Sequence, residues 1–227
     1  MEKQRIVIAV DGPSGAGKST LSRRAAGILG LRYLDTGAIY RTVGLAVRRA
    51  GIDPLDEAEV KNLLDTLEIV VEFGGEGEQY MLLHGEDVTG ELRTDEISRY
   101  ASNVSAYAAV RDYLMETQRG VARLHDVIMD GRDIGTVVLP DAPLKVFLTA
   151  DPEVRARRRY EELLEKGEDV TLESVAKALN ERDRNDSARA VAPLRRAPDA
   201  VTLDTTPCSL EQSVELFQEI IRERFGI

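Results

Sequence analysis

The sequence is short of the residues that tie a chain together covalently or around a metal. It holds one cysteine, Cys208, so an internal disulfide is excluded and a reducing compartment fits. Its two histidines, His84 and His125, lack the partner spacing of a metal site. Positive charge is in deficit too, with 30 Lys and Arg against 40 Asp and Glu, a formal net charge of −10. That balance argues against a general nucleic-acid or membrane-surface binder, because such proteins draw affinity from many phosphate contacts. The first apolar run, residues 6–10, is too short for a signal peptide's apolar core or a membrane span. A cytoplasmic protein with no nucleic-acid or membrane partner is expected. No internal repeat or low-complexity tract is visible.

What is there suffices for one substantial core, since 227 residues with 43% hydrophobic content can also carry a small inserted lobe. Of the 30 basic residues 24 are arginine, clustered at Arg155, Arg157, Arg158 and Arg159 and again between Arg182 and Arg196. The planar guanidinium suits bidentate phosphate binding. An arginine excess can be a compositional habit, so clustering rather than number carries the argument.

Residues 6–10 form a continuous, β-branched apolar run, as in a strand buried on both faces of a parallel sheet. A glycine-rich turn follows, and then Leu21, Ala25, Ile28 and Leu29 recur at helical spacing from Lys18 until Gly30 stops the helix. A short strand at Tyr33 and Leu34 and helices over 38–50 and 56–67 come next. Residues 67–73 and 79–84 read as antiparallel strands around a turn at Gly74-Gly75-Glu76-Gly77, followed by helices carrying Ile97, Ala101 and Val104, then Val110, Leu114 and Val121. Buried strands resume at 127–129, 144–148 and 200–203, with a long charged helical stretch before the last. Ser209 and Gln212 have capping-box spacing ahead of a closing helix. The expectation is an α/β protein with a mostly parallel sheet and a small antiparallel β-plus-helix insert, its ligands bound beyond the carboxyl ends of the strands.

Gly12-Pro13-Ser14-Gly15-Ala16-Gly17-Lys18-Ser19 satisfies G-x-x-x-x-G-K-[ST] at every fixed position, directly after a predicted strand and before a predicted helix. Its backbone N–H groups and the helix N-terminus favour phosphate. ATP is expected here, across residues 12–19 and Thr20. Lys18 would reach the β- and γ-phosphates, Ser19 would meet Mg²⁺, and Asp130 would hold that ion's water shell. The context predicts a P-loop NTPase-type three-layer fold. The loop alone does not separate kinase, GTPase and motor. Asp87-Val88-Thr89-Gly90 imitates a GTPase motif by chance, as no Asn-Lys-x-Asp guanine-reading motif exists.

A second anion site is suggested at the same sheet edge. Leu34-Asp35-Thr36-Gly37-Ala38-Ile39-Tyr40-Arg41 follows the second strand, and Asp130-Gly131-Arg132-Asp133 follows another. Arg182, Asp186 and Arg189 lie on a helical stretch ending near Pro193.

At this point the chain resembles the bacterial cytidylate kinases. The likeness rests on DGPSGAGKS at 11–19, DTGAIYR at 35–41, DGRDIGTVV at 130–138, PDAPLKVFL at 140–148 and RAVAPL at 189–194, with GEDVTGELRT at 85–94 in the insert. It implies a kinase core over 1–66 and 111–227, a short lid at about 155–170 and a nucleoside-monophosphate-binding insert over 67–110. It implies transfer from ATP to CMP or dCMP, with Mg²⁺, by a monomer serving pyrimidine nucleotide metabolism. By the same resemblance Arg41, Arg132 and Arg189 clamp the CMP phosphate, Thr36 lines the CMP site, Arg182 and Asp186 hold the ribose, and Ser102, Arg111 and Asp133 read the cytosine. Lys18, Arg41, Arg132, Arg189 and Arg158 would be catalytic. Arg158 and Arg159 match a basic pair near the lid, whereas Arg155 and Arg157 are expected to be solvated. Some members have Gly where this chain has Ser19 and many have Ser at Thr36. Residues 182–189 depart further from the family pattern.

The chemistry of cytosine agrees with these roles, since its exocyclic amine donates while N3 and O2 accept. Uracil would set a carbonyl against Asp133, at a cost of about 1 to 3 kcal/mol. A monophosphate acceptor is already mostly dianionic at neutral pH, with a second pKa of about 6, so no general base is expected. The alternatives are a hydroxyl-acceptor kinase of the shikimate type and a regulatory nucleotide switch.

Overall fold

Apolar β-branched runs become the inner strands. In the computed structural model, which describes residues 5–75 and 77–227, Val7–Asp11 (β1) is buried along most of its length. Lys18–Leu29 (α1) follows, ended by Gly30, whose N–H reaches the Ala26 carbonyl. Arg32–Asp35 (β2) leads straight into Thr36–Arg49 (α2), two residues earlier than the periodicity indicates, because the Asp35 side chain caps the helix at Ala38 N. Glu57–Leu64 (α3) is capped in the same way by Asp56.

An antiparallel sheet follows: Ile69–Phe73 (β3), Gln79–Leu83 (β4) and the two-residue Glu86–Asp87 (β5). Ile69 pairs with Leu83 and Phe73 with Gln79. Of the expected turn at 74–77, Glu76 lies outside the described residues. Asp87, in the GTPase-like tetrapeptide, accepts from both the N–H and the hydroxyl of Thr89, a local turn contact. Asp95–Val104 (α4) packs on α2, and Ala108–Leu124 (α5) buries Val110, Leu114 and Val121.

Val127–Gly131 (β6) is followed by a π-helical turn at Ile134–Val138. Leu144–Thr149 (β7), Pro152–Glu165 (α6), Leu172–Ala188 (α7), Val201–Asp204 (β8) and Leu210–Phe225 (α8) complete the chain. Ser209 and Gln212 form the expected capping box, and a second, from Thr171 and Ser174, opens α7. The five-stranded sheet runs β2-β6-β1-β7-β8. β7 pairs in parallel with both β1 and β8, Ile8 facing Leu144 and Val146 facing Val201.

The chain divides into two compact units, one comprising Met1–Gly30 and Ile128–Ile227 and the other Leu31–Val127. The antiparallel sheet and α4 belong to the second. Among the described residues no helix is long and apolar enough to cross a membrane.

Candidate active site

In the first unit the chemistry is built around the turn that leaves β1. Gly12 has φ near +153°, and a Cβ there would lie 2.0 Å from the Leu148 carbonyl oxygen, so only glycine lets the loop pass β7. Lys18, at 6% exposure, folds its ammonium back to donate to the carbonyls of Gly12 at 2.7 Å and Pro13 at 2.8 Å. Burial, then the neighbouring Arg132 charge, pulls its pKa well below the ordinary lysine range, while Asp130 acts the other way. A polyphosphate in the loop would relieve that penalty, because it supplies the missing negative charge. Ser19 Oγ donates to Asp130 Oδ2 at 2.8 Å, and Asp130 stands near the end of β6. This hydroxyl and carboxylate are hard oxygen donors of the kind Mg²⁺ takes alongside water and phosphate. Thr20 is exposed on the first turn of α1.

Arg132 connects this loop to α7. Its Nη2 donates to Ser14 Oγ at 2.9 Å and its Nε to Asp186 Oδ2 at 2.8 Å. Arg189 donates to the other Asp186 oxygen, so one carboxylate, 2% exposed, bridges two guanidiniums. Burial opposes the Asp186 charge, but Arg132 and Arg189 outweigh it and hold the pKa below the ordinary carboxylate value. Burial likewise opposes the Arg132 charge, and Asp186 more than compensates. Arg182 is exposed on α7, and its charge helps depress both Lys18 and Asp186.

Asp133 is buried where the π-helical turn begins. The turn is held from below by Asp11, whose two carboxylate oxygens accept the N–H groups of Ile134 at 2.8 Å and Gly135 at 2.7 Å. Burial raises the Asp11 pKa to about 6, against the lowering effect of those two bonds.

One arginine lies elsewhere than its sequence context indicates. Arg155, expected in solvent, is 6% exposed and donates to Ser14 O at 2.7 Å, Asp183 Oδ2 at 2.5 Å and Ala150 O at 3.1 Å. A run of charged helix residues does not reveal which of them faces the protein. Arg158 donates to Thr205 Oγ1, Thr205 O and Cys208 O, holding the segment after β8. Arg157 is exposed and Arg159 pairs with Glu162 at 2.9 Å.

The second unit carries the remaining candidates. Arg41 Nη2 donates to Asp35 Oδ2 at 2.7 Å while Asp35 Oδ1 caps α2. Gln79 of β4 grips both backbone groups of Asp35: its Oε1 accepts the N–H at 2.8 Å and its Nε2 donates to the carbonyl at 3.2 Å. Thr36 is buried at the start of α2. Arg111 is buried on α5, donates to Ser105 O at 3.0 Å and lies 5.5 Å from the Tyr40 ring centroid. Ser102 is half-buried on α4.

The sequence reading passes over Asp11, Gln79 and Asp183. Asp11 opens the first family-like segment, so its place was visible. Gln79 bears no motif, and Asp183 is hidden in a charged helix.

A mostly parallel sheet whose first strand delivers a buried lysine and a glycine-rich loop beside a strand-end aspartate defines a P-loop nucleotide-binding protein. The cytidylate kinase family model matches residues 8–223, and the chain belongs to that family. A cytidylate kinase from Geobacter sulfurreducens is 48% identical over 222 residues, covering 98% of this chain and 95% of that protein. One from Fervidobacterium nodosum is 46% identical, covering 97% and 98%, and one from Caldicellulosiruptor bescii 46% identical, covering 96% and 98%.

Proposed function

We propose that the protein transfers the γ-phosphoryl group of ATP to CMP, and to dCMP, giving ADP and CDP or dCDP. The observation that carries this is Arg132, which joins Ser14 of the ATP loop to the carboxylate it shares with Arg189. Two guanidiniums are thereby poised beside the donor loop, as a second phosphate requires.

Both reactants are anions, so the work of the site is neutralisation and alignment rather than proton abstraction. Lys18 takes charge from the donor phosphates. Arg41, Arg132 and Arg189 hold the acceptor phosphate. Thr36 lines the acceptor site and Arg182 and Asp186 hold the ribose, while Ser102 and Arg111 donate to the cytosine and Asp133 accepts from its amine. Arg158 would leave its contacts with Thr205 and Cys208 only on closure of a lid at about 155–170, which would exclude water from the transfer. Residues 67–110 serve as the acceptor-binding insert of a core formed by 1–66 and 111–227. Ser19 and, through water, Asp130 would hold Mg²⁺, which when bound would add charge neutralisation at the donor phosphates. We place the protein in the cytoplasm as a monomer.

The test is ADP release from Mg-ATP with CMP, dCMP, UMP, AMP and shikimate in parallel. CMP and dCMP should stimulate release strongly. Equal stimulation by shikimate, or hydrolysis indifferent to every acceptor, would reject the assignment.

A further inference from the structure

Ser14 has every polar group engaged by an ionic side chain. Its backbone N–H donates to Asp183 Oδ1 at 2.8 Å, its carbonyl accepts from Arg155 Nη1 at 2.7 Å, and its hydroxyl accepts from Arg132 Nη2 at 2.9 Å. Arg155 and Asp183 also pair with each other at 2.5 Å, with side chains only 7% and 17% exposed. The pair thus spans both faces of one peptide segment, as a neighbouring strand would, while its own charges cancel. Packing supports the same junction. Gly15 has φ near +72°, and a Cβ built on it would meet Leu179 Cδ1 of α7 at 3.3 Å and Arg155 Cβ of α6 at 3.4 Å. Phosphate loops rich in glycine have many accessible backbone conformations, so an external constraint on one residue sets where its side chain points.

From this geometry we infer that the Arg155–Asp183 ion pair is a positioning device for phosphoryl transfer, fixing Ser14 so that its hydroxyl aims Arg132 at the transferring group. Neither residue of the pair is a catalytic group; both act through Ser14. The inference rests on the kinase reading above, and it adds a reason for Asp183 to lie on the same helix as Arg182 and Asp186. α7 then carries a carboxylate for the donor loop at 183 and one for the arginine pair at 186, about one turn apart. Displacing a reacting group by about 1 Å can lower turnover about 100-fold, so a pair that never touches substrate can still govern rate.

The experiment is a double-mutant cycle on the full chain with Asp183→Asn and Ser14→Ala, read as kcat and KM for ATP and CMP, with thermal unfolding alongside. Asparagine can still accept from Ser14 N–H but cannot neutralise Arg155. Asp183→Asn should lower kcat about 10- to 100-fold while the KM for ATP moves less than about threefold. In the Ser14→Ala background the same substitution should cost less than about threefold, because the hydroxyl it serves is gone. Additive losses, or an unchanged kcat with tighter ATP binding, would overturn the inference; the latter would make Asp183 a place-holder that phosphate displaces. If Asp183→Asn does not fold, Arg155→Lys takes its place in the cycle, with a loss in the same direction, since an ammonium lacks the fork that reaches Ser14 O and Asp183 together. Wild-type turnover with CMP checks the kinase reading separately. Were it absent, the same cycle read on acceptor-free ATP hydrolysis would still decide the role of the pair.

Discussion

Arg132 and Asp186 meet in a hydrogen-bonded ion pair of 2.8 Å in which the carboxylate is almost wholly buried and the guanidinium keeps about a fifth of its side-chain surface. The exposed remainder is what a phosphate could take, while Asp186 holds the orientation. Arg132→Ala should therefore lower kcat about 100- to 1,000-fold, as loss of a preorganised charge does, with ATP affinity changed less than about threefold. Steady-state kinetics beside direct ATP titration separates the two. Equal losses in both would point to a structural role.

Removing the carboxylate has a different signature. Asp186→Ala leaves the half-buried Arg132 and Arg189 charges without their shared carboxylate, and should destabilise the fold by about 3 kcal/mol. Urea unfolding measures it. Asp186→Ala with unaltered stability would mean that the arginines relax into solvent.

Asp133 tests the choice of base. Asp133→Ala should narrow the CMP-to-UMP ratio of kcat/KM by about 5- to 150-fold, the equivalent of one buried acceptor lost from the amine. A ratio that stays put would remove Asp133 from base reading.

Asp11 makes stability depend on pH in an unusual direction. Its folded pKa of about 6 lies above the ordinary 3.8, so the folded state keeps a proton that the unfolded chain has released. The favourable contribution is full below pH 3.8 and disappears as pH rises through 6. Between pH 4 and 7 the stability of the wild type relative to Asp11→Asn should fall by about 2 to 3 kcal/mol. Denaturant titrations at several pH values would show it, and a flat difference would mean that burial does not raise this group.

Gln79 reaches Arg41 through Asp35. Gln79→Glu keeps an acceptor for Asp35 N–H but loses the donor to Asp35 O, which should weaken stability by about 1 kcal/mol. With the aspartate that orients Arg41 loosened, the KM for CMP should rise about three- to tenfold and that for ATP should not. A rise in both would separate Gln79 from the acceptor.

The elements differ in how far they could be read from residues alone. α1 runs from Lys18 to Leu29 as its periodicity indicates, since an amphipathic face and a stopping glycine are local. The π-helical turn at Ile134–Val138 has no such period. It exists because Asp11, more than a hundred residues earlier, accepts two of its N–H groups. Arg155 shows the same limit: within the charged stretch around it, only the packing of α6 and α7 on the phosphate loop selects the arginine that is buried.

The phosphate loop, the alternation of strands and helices and the family are legible along the chain, because each depends on near neighbours or on contiguous motifs. Tertiary structure decided which charges meet: Asp186 with Arg132, Asp183 with Arg155, Asp11 with the turn at 134. These residues are 28 to 124 positions apart. A charged side chain carries no mark of its partner until folding removes the water between them.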